Sequence, residues 1–390
     1  MKVLMLWKYY PQYLSYFYKK YPYVGDLPFE EHRNKIFDDH FGWPADLSKY
    51  MNLQGIKTEF IIANAEVLQK KWAKENDFRY SPEGWEKEIV MEQIKHFRPV
   101  ILWITSIFDY YGKFVKEALR YSKKAIAWVS CPTPKILDVS GFKILITSHP
   151  EMLKDQQHLF DDVIITKPGF DSEILKNIGF VEKKYDVTFG VSMAHSKRAK
   201  LLTYLIKNDV DIKVFGYLHE KRPLGKLNGY RRAVFDILKR RNFHKGMDVL
   251  KRTFKTDYQR NIEIIKSIHQ GTIFGLDMYS TLAASRISLN VHIDVAGDNA
   301  GNMRMFEATG AGTCLLTEYS ENINDLFEPG KEILTYKSKE ELLEIIQKLL
   351  NDNEKIEQIA KAGQKRTLQY HTLERMFNDI KPAFNLYKQI

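Results

Sequence analysis

The chain is organised around one stretch, Gly297-Asp298-Asn299-Ala300-Gly301-Asn302-Met303-Arg304-Met305-Phe306-Glu307-Ala308-Thr309-Gly310-Ala311-Gly312, followed by Thr313-Cys314-Leu315-Leu316-Thr317-Glu318. It predicts a glycine-containing loop, a helix that begins near Gly301 or Asn302, a glycine stop and a buried strand. The unpaired N–H groups and the positive dipole end at the start of such a helix suit a phosphate. Arg304 and Glu307 share one face of this helix. They form either a surface ion pair or a site for a nucleotide diphosphate and its ribose, and the spacing leaves both open.

Length, charge and cysteine content limit the class of protein. A chain of 390 residues favours two domains. Its formal net charge of +10 favours an anionic partner: a nucleotide, an acidic polymer, an anionic lipid surface or nucleic acid. The only cysteines, Cys131 and Cys314, lie in apolar runs, so we expect buried thiols in a reducing compartment. The chain shows no signal peptide and no membrane-spanning run, so we expect a soluble, cytoplasmic protein, at most peripheral on the inner face of a membrane.

Strand and helix patterns alternate twice along the chain. The first alternation covers residues 1–166 and begins with the apolar run Val3–Trp7, which predicts a doubly wound sheet. A second alternation restarts at Tyr185 and leads into the organising stretch. We therefore predict an α/β protein with an N-terminal Rossmann-like domain over 1–170, a linker over 171–185, a C-terminal Rossmann-like domain over 186–368 and a terminal helix over 369–390.

A second candidate phosphate site opens the C-terminal half. Asp186–Gly190 predicts a strand that ends in a glycine turn, and the next helix begins near Ser196 and Arg198. A strand, a glycine-serine loop and a basic helix start together form a geometry that suits a phosphate. The segment is no Walker A motif and lacks a complete Gly-x-Gly-x-x-Gly, so solvated basic residues on a helix are the alternative.

The pattern Asn302-Met303-Arg304-x-Phe306-Glu307-Ala308-x-x-Ala311-Gly312-x-x-Leu315-Leu316-Thr317 resembles the nucleotide-binding segment of GT-B glycosyltransferases. It is most similar to the group that includes the CgeB-like proteins. The similarity continues through Leu326-Phe327-Glu328-Pro329-Gly330 and Ile359-Ala360-x-x-Gly363-Gln364 to His371-Thr372. The resemblance is dense over the last quarter of the chain and implies the GT-B fold. In that fold two Rossmann-like domains face a cleft, and a C-terminal helix crosses back to the N-terminal domain.

The resemblance also implies a function. It predicts a metal-independent enzyme that moves a sugar from a nucleotide-diphosphate sugar of the UDP, GDP or dTDP type to an acceptor hydroxyl or other nucleophile, without a permanently bound cofactor. It assigns donor binding to one set of residues: Gly190, Ser196, Arg198, Asn299, Asn302, Met303, Arg304 and Glu307. Retaining members of the fold carry two glutamates with seven residues between them. Glu307 matches the second glutamate and Asn299 replaces the first, and retention is slightly favoured over inversion.

An inverting route would need a general base from the N-terminal half. The candidates are Asp39 and His40, before the first long helix, and Asp109, after the strand Val100–Thr105. Loops at the carboxyl ends of parallel strands are where ligands bind in this class of sheet. A helix cap or a surface charge is the alternative for each residue.

The stretch His219–Arg260 carries most of the excess charge, with 13 Lys or Arg against 4 acidic residues. We predict a basic insert that contacts an anionic acceptor or a membrane surface, or else a solvated helical excursion. The acceptor itself is open: a glycan, a protein or a lipid. Two rival hypotheses are a basic α/β protein that binds nucleic acid and a noncatalytic GT-B relative, and the sequence disfavours nucleic acid as the partner.

Overall fold

The computed structural model describes residues 1–131, 137–149, 156–190, 196–218, 257–292 and 299–384. These residues form two parallel β-sheets, one from each half of the chain. The first sheet has the order β2-β1-β3-β4-β5-β6. Its strands are β1 Lys2–Trp7, β2 Lys57–Ile62, β3 Ile101–Ile104, β4 Lys124–Trp128, β5 Ile144–Thr147 and β6 Asp162–Ile165. The second has the order β11-β10-β9-β7-β8. Its strands are β7 Tyr185–Gly190, β8 Ile212–Phe215, β9 Ser285–Asn290, β10 Cys314–Glu318 and β11 Leu334–Tyr336.

Helices cover both faces of each sheet. The α-helices span Pro11–Lys20, Phe29–Phe37, Trp43–Leu53, Glu66–Glu75, Trp85–Phe97, Lys113–Ala118, Glu173–Ile178, Ser196–Lys207, Asp257–Lys266, Gly275–Ala283, Met303–Gly310, Ile323–Leu326, Lys339–Leu349, Asn353–Tyr370 and Leu373–Ile380. Short 3₁₀ helices occupy Pro22–Asp26, Gln157–Leu159 and Lys381–Phe384. Along β1, Val3 and Met5 enter one core cluster while Leu4 and Leu6 enter another on the opposite face. This is why a central parallel strand reads as a continuous apolar run.

The predicted doubly wound α/β architecture is confirmed. The helical spacing of Leu47, Tyr50 and Met51 predicts a helix over Trp43–Leu53, and the helix has those bounds in the structure. The helix Glu66–Glu75 is not predicted from the sequence. The segment predicted as a linker contains the helix Glu173–Ile178. The predicted basic insert lies outside the described residues up to position 256. Cys131 and Cys314 are free thiols; Cys314 is buried, as expected, whereas Cys131 is half-buried.

The terminal helix crosses back to the first sheet, as predicted. Leu373, Met376, Phe377 and Ile380 all belong to the core cluster of the first sheet. The crossing lies beside the earlier passage between the two halves, because the Phe170 N–H donates to the His371 carbonyl at 2.8 Å. Both connections therefore run together along one side of the space between the sheets. None of the helices in the described ranges is long and apolar enough to cross a membrane.

Candidate active site between the two sheets

A cavity of about 620 Å³ lies between the two halves of the chain. Trp7, at the end of β1, lines it from one side, and Gly190, at the end of β7, lines it from the other. Most of the wall is aromatic or aliphatic; the polar lining residues are Lys8, Gln12, His40, Thr188, Thr281, Asn302, Arg304 and Glu307. Its size is typical of a small-molecule site, and the carboxyl ends of parallel strands are where such sites form.

The helix Met303–Gly310 points its first turn at this cavity. Asn302 is its N-cap residue, but the Asn302 side chain makes no capping hydrogen bond. Instead its amide donates to Asn290 Oδ1 at 2.8 Å. Within the described residues the Met305 N–H donates to the Asn302 carbonyl at 3.1 Å, so the N–H groups of Met303 and Arg304 are the ones left for an anionic ligand. The helix begins at Met303 with Asn302 as its N-cap, next to the start predicted near Gly301 or Asn302.

Arg304 and Glu307 lie side by side in the cavity wall. Arg304 Nη1 is 3.1 Å from Glu307 Oε2, and the two side chains are 13% and 11% exposed. Arg304 Nε and Nη1 nonetheless have no partner with hydrogen-bond geometry among the residues described. Burial raises the pKa of Glu307 above its ordinary value, while the Arg304 charge acts in the opposite direction. The pair is therefore not the exposed surface pair that the spacing also allowed.

Six of the predicted residues meet at this cavity: His40, Gly190, Asn302, Met303, Arg304 and Glu307. The Arg304 guanidinium carbon lies against Gly190, 3.9 Å from where a Cβ would stand. Ser196, Arg198 and Asn299 are not among the lining residues. Ser196 is exposed at the start of its helix, and Asn299 is half-buried. Arg198 is buried, and its Nη2 donates to the Val291 carbonyl at 3.0 Å.

Among the three candidate bases, His40 alone lines the cavity. Its Nδ1 lies 2.9 Å from Asp46 Oδ1, and its Nε2 lies 2.7 Å from the Asn177 amide nitrogen. Burial lowers the pKa of His40, but the hydrogen bond and charge of Asp46 together raise it above its ordinary value. Asp46 and Asn177 were not singled out from the sequence, because they lie 6 and 137 positions away and no local motif links them to His40.

Asp39 and Asp109 are placed differently. Asp39 is 3% exposed and lies against the first turn of the helix Gly275–Ala283, where a Cβ at Gly275 would collide with its carboxylate. Burial raises the pKa of Asp39 to about 6, and the charge of Lys20 acts against this shift. Asp109 is exposed and pairs with Lys8, whose Nζ lies 3.4 Å from Asp109 Oδ1. Only Lys8 of this pair borders the cavity.

The part of the chain that the structure describes contains one group of side chains that could hold a metal ion. His40, Asp46 and Asp171 each offer a ligand atom, and these atoms lie within 4.8 Å of one another. Oxygen and imidazole ligands of this kind suit several divalent metals. In the structure, however, the His40 ring nitrogens already contact Asp46 and Asn177. That the protein works without a metal stays a prediction.

Two facing α/β sheets, a ligand cleft between them and a terminal helix that crosses back define the GT-B fold of glycosyltransferases. Residues 227–381 match the family model described as Glycosyl transferase-like. The resemblance to GT-B glycosyltransferases seen in the sequence is therefore confirmed, while the narrower similarity to CgeB-like proteins stays a prediction. No curated protein matches the chain in sequence.

Solved structures with this fold match the whole chain at low identity. The Anabaena protein Alr3699/HepE in complex with UDP-glucose has a TM-score of 0.54 and 12% identity, with 98% of this chain and 99% of that chain covered. A glycosyltransferase from Rickettsia africae has a TM-score of 0.53 and 11% identity at coverages of 98% and 99%. Sucrose-phosphate synthase from Thermosynechococcus elongatus has a TM-score of 0.51 and 8% identity, with 98% of each chain covered. At such identities the likeness concerns the fold.

Proposed function

We propose that this protein is a glycosyltransferase that moves a sugar from a nucleotide-diphosphate sugar to an acceptor hydroxyl. The observation that carries the proposal is the Arg304 guanidinium, which faces the cavity with two nitrogens that have no hydrogen-bond partner in the described structure. The Glu307 carboxylate balances the charge of Arg304 at 3.1 Å but does not satisfy these two donors, and buried donors that lack an acceptor are costly. A diphosphate can accept two parallel hydrogen bonds from a guanidinium and further ones from the uncapped helix start.

Glu307 completes the donor site in this proposal. It lies one helical turn beyond Arg304 in the same wall, where its carboxylate can accept hydrogen bonds from the two ribose hydroxyls. The apolar remainder of the cavity offers surface for the nucleobase. A UDP-type donor is supported by the structural neighbour that was solved with UDP-glucose. In this arrangement residues 186–368 bind the donor and residues 1–170 supply the acceptor side.

Transfer requires that the sugar–phosphate bond breaks and that the acceptor loses a proton. Arg304 and the helix N–H groups stabilise the negative charge on the departing diphosphate, so no metal ion is needed for this step. His40 has both ring nitrogens occupied, Asp39 is buried against another helix, and Asp109 is ion-paired. None of the three candidate bases therefore presents a free group to the cavity. This supports retention, in which a departing phosphate oxygen takes the acceptor proton.

A thermal-shift panel of UDP, GDP, dTDP, ADP and CMP sugars tests the proposal directly. A ligand that binds only the folded state raises the melting temperature, so we expect one nucleotide class to do so. Slow hydrolysis of the same donor would then separate an enzyme from a noncatalytic relative. Salt-dependent binding of random RNA or DNA, without any response to sugar nucleotides, would instead support the nucleic-acid hypothesis.

A further inference from the structure

A second cation, half-buried, lies at the junction of the two halves. Lys167 follows β6, and its ammonium donates one hydrogen bond, to the Ser148 carbonyl at 2.5 Å. An ammonium carries three donors, so two remain unused within the described structure. Burial lowers the pKa of Lys167, whereas the exposed Asp325 acts on it only through its charge. Among the residues that the structure describes, Lys167 makes no ion pair with a carboxylate, the partner that buried cations usually have.

The Lys167 ammonium reaches the loop that precedes the helix Met303–Gly310. Gly301 in this loop has a φ of +136°, and a Cβ there would stand 2.8 Å from Lys167 Nζ. Only a glycine allows both this backbone conformation and this approach of the ammonium. Lys167 itself does not line the cavity that contains Arg304. Lys167 and Arg304 therefore contact different parts of this segment: Lys167 lies against the loop at Gly301, and Arg304 lies in the first turn of the helix.

Two imidazoles accompany Lys167. His149 and His292 are 8% and 6% exposed. His292 Nε2 lies 3.0 Å from the Glu318 carbonyl oxygen, whereas His149 Nδ1 has no hydrogen-bond partner in the described ranges. The charges of Lys167 and His292 both act on His149, and burial lowers its pKa to about 4. Near neutral pH the imidazoles are thus uncharged hydrogen-bonding groups beside one ammonium. None of residues 299–302, the described part of the loop before the helix Met303–Gly310, is acidic.

We propose that Lys167 and His149, here called the Lys167 cluster, bind an anionic oxygen group of the substrate that is distinct from the donor diphosphate. This group is a carboxylate or a phosphate, carried either by the transferred sugar or by the acceptor. The inference rests on the proposed function and narrows its substrate class. A carboxylate or phosphate oxygen would pair with the ammonium and accept the hydrogen bonds that Lys167 and His149 leave unused.

Calorimetry with UDP, UDP-glucose and UDP-glucuronic acid tests the sugar as the source of the anion. If the sugar carries it, wild-type protein binds UDP-glucuronic acid about tenfold or more tightly than UDP-glucose, as one charge-assisted hydrogen bond allows. Lys167→Met should abolish this preference, and Lys167→Arg should keep part of it. All variants should bind UDP itself equally. Lys213→Met, which removes a half-buried lysine paired with Asp211, controls for the lost charge.

A second arm tests the acceptor. With UDP bound, glucose 1-phosphate and glucose are titrated against wild type and Lys167→Met. A preference for the phosphate that depends on Lys167 supports the proposal with the acceptor as source. If neither arm shows such a preference, or if Lys167→Met weakens UDP itself by tenfold, the cluster does not bind a separate anion. A wild-type protein that fails to bind UDP in the same titration would contradict the proposed UDP donor site instead.

The melting temperature of the free protein separates binding from a structural role. Replacing a half-buried ammonium that has no ion pair among the described residues with a methionine of similar shape removes a desolvation cost, so Lys167→Met should melt at the same temperature as wild type or higher. If Lys167 instead stabilises the fold, Lys167→Met should melt at a lower temperature than wild type. A fall of several degrees without ligand would show that the hydrogen bond to Ser148 holds the fold, and the proposal would then be wrong.

Discussion

Arg304 Nη1 lies 3.1 Å from Glu307 Oε2, and both side chains are almost fully buried in the cavity wall. Lys331 and Glu328 are also three residues apart and 2.9 Å from each other, but their side chains are 68% and 60% exposed. The same three-residue spacing thus gives an exposed ion pair at Glu328 and Lys331 and a largely buried one at Arg304 and Glu307. Exposed pairs contribute little to stability, and of these two pairs only the buried one lines the cavity and is a candidate for ligand binding.

The substitution Glu307→Gln keeps the shape of the side chain and removes its charge. Charge-assisted hydrogen bonds contribute about 1.5–3 kcal/mol each, so nucleotide affinity should fall about tenfold to a hundredfold. Calorimetry measures the affinity, and the melting temperature without ligand measures the fold. Glu328→Gln is the matched control and should change neither value. Unaltered nucleotide affinity in Glu307→Gln would mean that the ribose binds elsewhere.

Arg304→Gln should discriminate between a nucleotide and its nucleoside. If the guanidinium holds the diphosphate, UDP should bind about tenfold to a hundredfold more weakly, while uridine binding changes less than about twofold. General damage to the cavity would weaken both ligands equally, so it would leave the ratio of the UDP and uridine dissociation constants unchanged. An equal loss for both ligands would assign Arg304 a structural role beside Glu307.

Asp39 makes the stability of the protein depend on pH. Its pKa is raised to about 6 by burial, against about 3.9 in an unfolded chain. Between these values the native state holds a proton that the unfolded state has lost, so the free energy of unfolding falls as pH rises from about 4 to 6. A shift of this size corresponds to about 2–3 kcal/mol, which is fully lost above pH 6.

Asp39→Asn should therefore stabilise the protein by about 2–3 kcal/mol near pH 7.5 and have little effect near pH 4. Urea unfolding at the two pH values provides the measurement. Asp38→Asn, at the adjacent exposed position, is the control and should show no such difference between the two pH values. If Asp39→Asn is equally destabilised at both pH values, the charged Asp39 carboxylate stabilises the start of the helix Gly275–Ala283 and the prediction is wrong.

Transfer should proceed with retention of the anomeric configuration. The structural reason is that both nitrogens of His40 are occupied by Asp46 and Asn177. Hydrolysis of an α-linked sugar nucleotide, followed by NMR before the product anomers equilibrate, should show the α anomer first. A β product, combined with complete loss of activity in a stably folded His40→Gln variant, would establish inversion with His40 as the base.

Several features of this protein follow from residues that are close in sequence. The apolar run of β1 and the helical spacing of Trp43–Leu53 predict the elements that the structure contains. Arg304 and Glu307 could be placed at one helix start because a single turn fixes their relation. Local periodicity and helix geometry thus carry the donor-site hypothesis. Nothing in that geometry shows whether the pair faces water or a cavity.

The tertiary structure decided the contacts between distant segments. His40 meets Asn177 across 137 positions, and Lys167 meets Gly301 because the two halves of the chain close against each other there. Burial of Arg304 and Glu307 likewise depends on the first sheet that faces them. A residue's sequence neighbours set its secondary structure, whereas its exposure to water and its charged partners are set by packing between elements. Those two quantities determine which side chains can hold a ligand.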